Sequence, residues 1–516
     1  MSGPASPPPP RLPGHLADDL RADLADGYTM GGVEEMLGPV AVAALEREEP
    51  VAARRATAAA TAPAAVLTRL FLLGRPVTRA ALDAALPRTT TAGAQAAGLV
   101  TVAGADATDE VRPLVDLRPY EMHDATGEGR WWLASDLGEL ATGEPLHPDH
   151  VLGIGGASLT LARITVRDRR ERVLDLGTGC GVQALHALRH ARQVTATDIS
   201  RRALAFAGFN AALAGAEFDL REGSLLAPVA GETYDLIVSN PPFVITPPAA
   251  RAAGLPVMEY RDGAMPGDSL VAELVGGLGA HLAPGGVAQL LGNWEHHEDE
   301  GWQERVTGWL HRAGTDGWIV QREVQDPADY AHTWLRDGGL RPGTAVFDAA
   351  LEAWLDDFAA RGVSTVGFGY ITLRRPAHGT PGDWHRVEEV TTAVHRPLGG
   401  HVADVLAAQE WLATHDDAAL ADRRLLVPED VTEERYLRPG EQDPRVLQLR
   451  QGDGFGRSYR PGTLVAGAVG ACDGELTVGQ IIGGLSVLLE QPADAVAAEV
   501  LPAIRDLLLD GFLRLA

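Results

Sequence analysis

The sequence predicts an α/β protein built on a mostly parallel sheet covered by helices on both faces. Three observations carry that expectation. Residues 173–176 (Val-Leu-Asp-Leu) read as an apolar strand feeding a glycine-rich turn, Gly177-Thr178-Gly179-Cys180-Gly181. A helix-like stretch follows over 182–190, and a second strand over 194–197 ends at Asp198. A third strand-like run, 234–239, closes on Asn240-Pro241-Pro242-Phe243, and strands and helices then alternate as far as residue 373. Strand, glycine turn, helix, and strand with a terminal acid is the order of a nucleotide-type βαβ unit.

Length and composition set the bounds. A chain of 516 residues is expected to hold two to four domains. Its 44 basic and 70 acidic residues leave a formal charge of −26, which repels phosphate at long range and disfavours strong non-specific nucleic-acid binding. Two cysteines, Cys180 and Cys472, make neither a disulfide framework nor a zinc spacing. No apolar run approaches the roughly 20 residues of a membrane span, and the proline-rich start has no signal-peptide pattern. The expectation is a soluble, cytoplasmic, multidomain protein.

In chain order, residues 1–13 are expected to be a disordered tail and 14–149 an N-terminal accessory domain. Within the latter, 15–62 read as helices, 66–73 as a helix stopped by Gly74, and Thr78 as the cap of a helix to 86. Short strands over 97–103, 111–119 and 130–133 precede a helix expected from Ser135, a winged-helix-like pattern. Residues 150–376 form the central domain. It opens on a glycine-rich approach, 150–161, that suits either a pocket lid or a tight turn. Arg163, Arg167, Arg169, Arg170 and Arg172 then make the densest basic run, a solvated helix face or a local anion contact. Residues 377–516 form a C-terminal accessory region: a strand over 385–392, a helix over 400–412, polar turns over 436–462, and two helices from 476 and 494 that echo the N-terminal pattern.

The central motifs carry the chemistry. Gly177 permits the sharp exit from the strand, Gly179 a close ligand approach, and Gly181 tight helix packing. Amides at the helix start suit an anion or carboxylate, although structural glycine turns look alike. Asp175 is placed to meet an ammonium group, and Asp198 to bind two ribose hydroxyls. Ser224, after the strand-like run 217–221, either meets an exocyclic amine or caps a turn. The Asn240 side-chain carbonyl and the Pro241 backbone carbonyl offer two acceptors for the N–H groups of a planar nitrogen. Pro241 and Pro242 stiffen that loop, and Phe243 presents a ring to a planar group.

Residues 172–243 resemble the class I S-adenosylmethionine-dependent methyltransferases, in the branch with an Asn/Asp-Pro-Pro-Tyr/Phe motif. That branch holds the HemK-like release-factor glutamine methyltransferases, the small-domain ribosomal-RNA guanine methyltransferases and the adenine-amine methyltransferases. The resemblance spans about residues 150–375. It implies a Rossmann-like seven-stranded sheet with an antiparallel last strand, flanked here by the winged-helix-like regions. It further implies Asp175, Gly177, Thr178, Gly179 and Gly181 around the methionine moiety, Asp198 and Ile199 at the ribose, and Ser224 near adenine. Asn240, Pro241, Pro242 and Phe243 then hold the target nitrogen, with Asn240 also bordering the cofactor. Ser224 departs from the acid usual at its position.

The resulting expectation is methyl transfer from S-adenosylmethionine to a planar nitrogen of a macromolecule, without a metal. A protein glutamine amide of the release-factor type is favoured by acidity. Ribosomal or transfer RNA, or a DNA base amine, is the alternative that the flanking modules and the arginine run favour. A small-molecule substrate or a non-catalytic binding module comes third.

Overall fold

The structure is a computed structural model and describes residues 6–144, 146–263, 265–377 and 382–516. Contacts divide the chain into two compact units, Met1–Ala162 with Arg169–Glu389, and Arg163–Asp168 with Val390–Ala516.

The first unit is organised by one sheet. Its strands are β1 (Arg170–Leu176), β2 (Ala191–Asp198), β3 (Asp219–Glu222), β4 (Tyr234–Ser239), β5 (Leu282–His297), β6 (Asp316–Gln325), β7 (Val363–Arg374) and β8 (His385–Glu389). They lie in the order β8-β6-β7-β5-β4-β1-β2-β3. Strands β1 to β5 pair in parallel, whereas β7 runs antiparallel to both β5 and β6. The strand order reverses between β1 and β4, and the crevice at the carboxyl ends beside such a switch point is where ligands bind in open α/β sheets.

Seven strands were expected, and the sheet has eight. The additional strand, β8, lies beyond the boundary expected at residue 376 and pairs in parallel with β6, from Gly317↔His385 to Gln321↔Glu389. Trp318, Ile319 and Val320 of β6 are all buried. Without β8, that apolar strand would end the sheet as an open edge, which folded proteins avoid.

Helices α1 (Gly156–Ile164), α2 (Val182–Leu188), α3 (Arg201–Ala214), α4 (Ser269–Leu278), α5 (Trp302–Ala313), α6 (Pro327–Asp337) and α7 (Ala345–Ala360) accompany the strands. Local chemistry sets several of their starts. The Ser200, Asp326 and Thr344 side chains accept amide hydrogen bonds at the first turns of α3, α6 and α7. Leu174, Leu176, Ile237, Leu290 and Trp294 pack with Val271, Leu274, Val306 and Trp309 of α4 and α5. A second core joins Val182, Leu185, Phe206 and Phe209 of α2 and α3 to Leu20, Leu24, Tyr28, Leu70 and Phe71 from the start of the chain. The N-terminal elements are thus continuous in packing with the sheet's helices.

Those elements include a three-stranded sheet, Val77–Thr78, Glu110–Pro113 and Val100–Val102 in that order, with helices Arg79–Ala85 and Thr90–Ala96. A hairpin, Asp116–Asp124 with Gly127–Ser135, follows. The helix expected from Ser135 shrinks to Glu139–Thr142 because Ser135 is still paired in that hairpin. The expected disordered tail also needs correction. Residues 1–5 lie outside the described residues, but from Ser6 the segment is held: Ser6 Oγ donates to Asp149, Arg202 donates to the Pro7 carbonyl, and Pro10 is buried.

In the second unit, helices Thr463–Gly470, Val478–Leu488 and Ala493–Leu509 pack over a sheet of Asp473–Thr477, Arg424–Leu426 and Arg514–Leu515. The stretch expected to hold only polar turns contains a strand, Val446–Gln451, paired with Val431–Tyr436 and Ser458–Tyr459. Its alternation was masked by the turn residues on either side. Among the described residues, no helix is long and apolar enough to cross a membrane, and no group of His, Cys, Asp and Glu could hold a metal ion.

Candidate functional site at the carboxyl edge of the sheet

The glycine turn leaves β1 at the switch point. Gly177, Gly179 and Gly181 have φ of +72°, +56° and +86°, the left-handed region that only glycine enters without strain. Their surroundings differ. A Cβ on Gly181 would sit 3.1 Å from Ala207 Cβ, so this glycine serves packing against α3. A Cβ on Gly177 or Gly179 would meet nothing within 4 Å among the described residues, so the outer side of the turn is an open cradle. The Gly177 and Thr178 amides both donate to the Thr197 carbonyl at 2.9 Å, which ties the turn to β2.

Two carboxylates brace the cradle. Asp175 is 1% exposed, and its Oδ2 accepts from Thr178 Oγ1 at 2.6 Å and from the Ala184 amide at 2.9 Å. It therefore pins the turn to α2 rather than standing open toward an ammonium group, as the sequence suggested. Burial pushes its carboxyl up to about 7. Asp198, at the end of β2, accepts from the Gly179 amide at 2.9 Å and the Ser200 amide at 2.8 Å. Burial raises its pKa, and the nearby Glu259 carboxylate adds to the rise. Ile199, beside it, is 63% exposed, an apolar surface next to the cradle. Asp198 and the nearby Glu259 make this mouth electronegative, which favours a cationic ligand.

Ser224 is exposed, and its backbone carbonyl accepts from the Ala227 amide in a turn. The preceding Gly223 amide donates to the Asp198 carbonyl at 3.0 Å, so the Ser224 loop borders the end of β2. The glycine-rich approach becomes the start of α1, fastened to α2 where Gln183 Nε2 donates to the Ser158 carbonyl at 2.7 Å.

Asn240 follows β4 directly. Its Oδ1 is buried and has no hydrogen-bond partner among the described residues. An unpaired buried acceptor costs on the order of 1–3 kcal/mol, and such atoms in native folds call for an explanation in a ligand or a role. Pro241 is buried, and the Phe243 ring stands edge-on to Trp334 and Phe368 at centroid distances of 6.4 and 6.5 Å. The loop beyond closes on itself. Val244 N donates to the Arg261 carbonyl, the Thr246 hydroxyl donates to Asp262, and Ile245 N donates to Tyr330 Oη at 2.9 Å.

The structure therefore brings the glycine turn, Asp175, Asp198, Ile199 and the Ser224 loop around one end of β1 and β2, with Asn240 to Phe243 on the neighbouring strand β4. It disperses the arginine run. Arg163 lies in the last turn of α1 and donates to the His395 carbonyl, whereas Arg172 lies within β1, pairs with Glu232 and lies over the Tyr234 ring. Sequence reasoning passed over Asn210. This residue is fully buried in α3, accepts from the Ala134 amide at 2.7 Å, and donates to the Ala134 and Cys180 carbonyls. A lone Asn in the apolar run Phe206-Ala-Gly-Phe-Asn-Ala-Ala-Leu213 was the available signal.

One comparison with known families covers the glycine turn and the Asn240 motif. Residues 154–253 match the family model described as methyltransferase small domain, and residues 25–114 and 403–515 match two models described only as domains of unknown function. The chain is similar to a release factor glutamine methyltransferase of Deinococcus radiodurans, 42% identical over 135 residues, or 24% of this chain and 46% of the relative. It is also similar to a ribosomal protein uL3 glutamine methyltransferase of Bradyrhizobium diazoefficiens, 34% identical over 168 residues, or 30% and 52%. A release factor glutamine methyltransferase of Bordetella pertussis is 40% identical over 175 residues, or 33% and 60%. The chain thus spans about half the length of the curated relatives it matches.

Proposed function

We propose that the protein transfers a methyl group from S-adenosylmethionine to the side-chain amide nitrogen of a glutamine in a protein of the translation apparatus. The observation that carries this reading is the buried, partnerless Oδ1 of Asn240 at the strand end beside the glycine cradle. The chain's similarity to the glutamine methyltransferases named above supports the choice of an amide.

The residues present fit the cofactor. Gly177 and Gly179 would hold its methionine part on their open side, Asp198 its ribose hydroxyls, and Ile199 with the Ser224 loop its adenine. The electronegative mouth suits its two positive charges. Bound there, it supplies an electrophilic methyl carbon on a positively charged sulfur. Asn240 Oδ1 and the Pro241 carbonyl each accept one N–H of the target amide and so turn its lone pair toward that carbon. Formation of the N–C bond would break the C–S bond with its electrons on sulfur, and the amide nitrogen would pass one proton to solvent water. The same two acceptors stabilise the positive charge that develops on nitrogen. Pro241 and Pro242 fix the loop, and Phe243 packs against the amide plane. A substrate in the translation apparatus supports a cytoplasmic location. The helix and strand orders over 63–113 and 463–515 support winged-helix-like flanks that position the substrate protein.

The test is transfer of radiolabelled methyl from S-adenosylmethionine into an extract lacking this protein, followed by separate protease and nuclease digestion. Label released by protease alone is the expected result. Label released by nuclease alone would overturn the amide reading in favour of a base amine.

A further inference from the structure

A second acceptor with the same history as Asn240 lies on the adjacent strand. Asn293 of β5 is 0% exposed, and its Oδ1 has no hydrogen-bond partner among the described residues. Its amide is held from the other side, where Nδ2 donates to Tyr330 Oη at 2.8 Å. Tyr330 Oη also receives the Ile245 amide, from the loop that continues the Asn-Pro-Pro-Phe tetrapeptide. The hydroxyl thus orients Asn293 and anchors the motif's loop together.

Extending the register by one residue puts Asn240 and Asn293 on the same side of the sheet. Ser239 pairs with Leu290 in parallel, so Asn240 stands beside Leu291, and Asn293 is the next residue outward on the Leu291 face. Two residues along a strand advance about 6.6 Å and one strand spacing adds about 4.8 Å sideways, which puts the two residues about 8 Å apart. Across β7, Asn293 faces Phe368, whose ring contacts both Phe243 and Tyr330. A second acceptor thereby borders the place where the target would lie. The side-chain nitrogen and main-chain nitrogen of a glutamine are five bonds apart, about 5–6 Å when extended. That is the span two acceptors at this separation can serve.

We infer that Asn293 is a substrate-positioning residue whose Oδ1 accepts the main-chain N–H of the target glutamine while Asn240 holds its side-chain amide. The inference rests on the amide-methyltransferase reading above. It explains why a fully buried asparagine is oriented by a tyrosine and left with an empty acceptor, a state that is costly unless a ligand fills it. It also makes the site a reader of polypeptide, since the second contact is to a backbone group next to the modified side chain.

The experiment is a cycle on the full-length protein with two glutamine peptides of one sequence, one having an ester oxygen in place of the main-chain N–H of the target residue. Wild type is expected to lose about tenfold in kcat/KM on the ester, the worth of one hydrogen bond left unmade. Asn293→Leu is expected to be slower on the amide peptide and indifferent to the ester. Tyr330→Phe keeps the acceptor and is expected to retain a preference for the amide. S-adenosylhomocysteine affinity confirms that each variant is folded, and Asn293→Ser replaces Asn293→Leu if that variant binds none. Equal rates of wild type on both peptides, or an ester penalty undiminished in the Asn293 variant, overturn the inference while leaving the amide reading intact. Failure of wild type to methylate any glutamine peptide, with base-amine methylation in its place, overturns both.

Discussion

At the scale of single residues, the proposed roles divide between holding the methyl donor and holding its acceptor. Asn240→Ala removes the acceptor for the target N–H and is expected to lower the transfer rate by about 100-fold or more. S-adenosylhomocysteine affinity should stay within about twofold, since the cradle is untouched; rate and calorimetry on one preparation separate the two. Asp198→Ala should show the reverse weighting, with cofactor affinity falling about 10- to 100-fold as two hydroxyl contacts are lost. An unchanged affinity would remove the ribose assignment. Asp175 gives a prediction in pH. Its carboxyl is pushed up to about 7 by burial, against about 4 in an unfolded chain. The folded protein therefore keeps a proton that the unfolded chain releases, and this residue's contribution to stability falls as pH rises from about 4 to about 7, then levels. Asp175→Asn keeps an acceptor for Thr178 and Ala184 without the charge. Its stability relative to wild type in urea should grow across that window and stay constant above it; a difference flat with pH would contradict the assignment.

Among elements, the glycine turn shows how one motif serves two purposes. Gly181→Ala forces a left-handed residue and a 3.1 Å contact with Ala207, and should destabilise the fold by about 2 kcal/mol. Gly179→Ala meets no protein atom within 4 Å among the described residues. Strain should cost about 1 kcal/mol, and the added methyl should show mainly as at least tenfold weaker cofactor binding. Denaturant midpoints and calorimetry for the pair distinguish packing from ligand approach. These elements were legible because they are local. Strand, turn and helix over residues 173–190 follow from apolar periodicity and glycine, and Asn240-Pro241-Pro242-Phe243 marks its own strand end. What was not legible depends on partners distant in sequence. A strand over 385–392 was expected and His385–Glu389 forms one, but its place in the central sheet was not legible, because its pairing partner β6 lies about 70 residues earlier in the chain. Asn293 sits inside a long buried strand where nothing in the sequence tells an empty acceptor from a satisfied one. Asp175 looked like an open ligand contact because its partners, Thr178 and Ala184, are defined only once the turn is folded.

Across the whole molecule, the N-terminal elements and the sheet behave as one body, since Leu20, Tyr28 and Phe71 share a core with Phe206 and Phe209. Asn210 is the polar fastening of that body, joining α3 to the Gly127–Ser135 strand and to the glycine turn. Asn210→Leu leaves the Ala134 and Cys180 backbone groups unpaired and should lower both stability and cofactor affinity, a coupling that thermal melts with and without S-adenosylhomocysteine would show. The charge of −26 argues against recognition of a substrate through an extended basic field. The most direct test of the central claim is mass spectrometry of release factors and ribosomal proteins from cells with and without this protein. The account predicts one glutamine that carries a methyl group only when the protein is present, and that loses it when Asn240→Ala replaces wild type. Identical glutamine methylation in both strains, with a methylated base present only in the wild type, would contradict it.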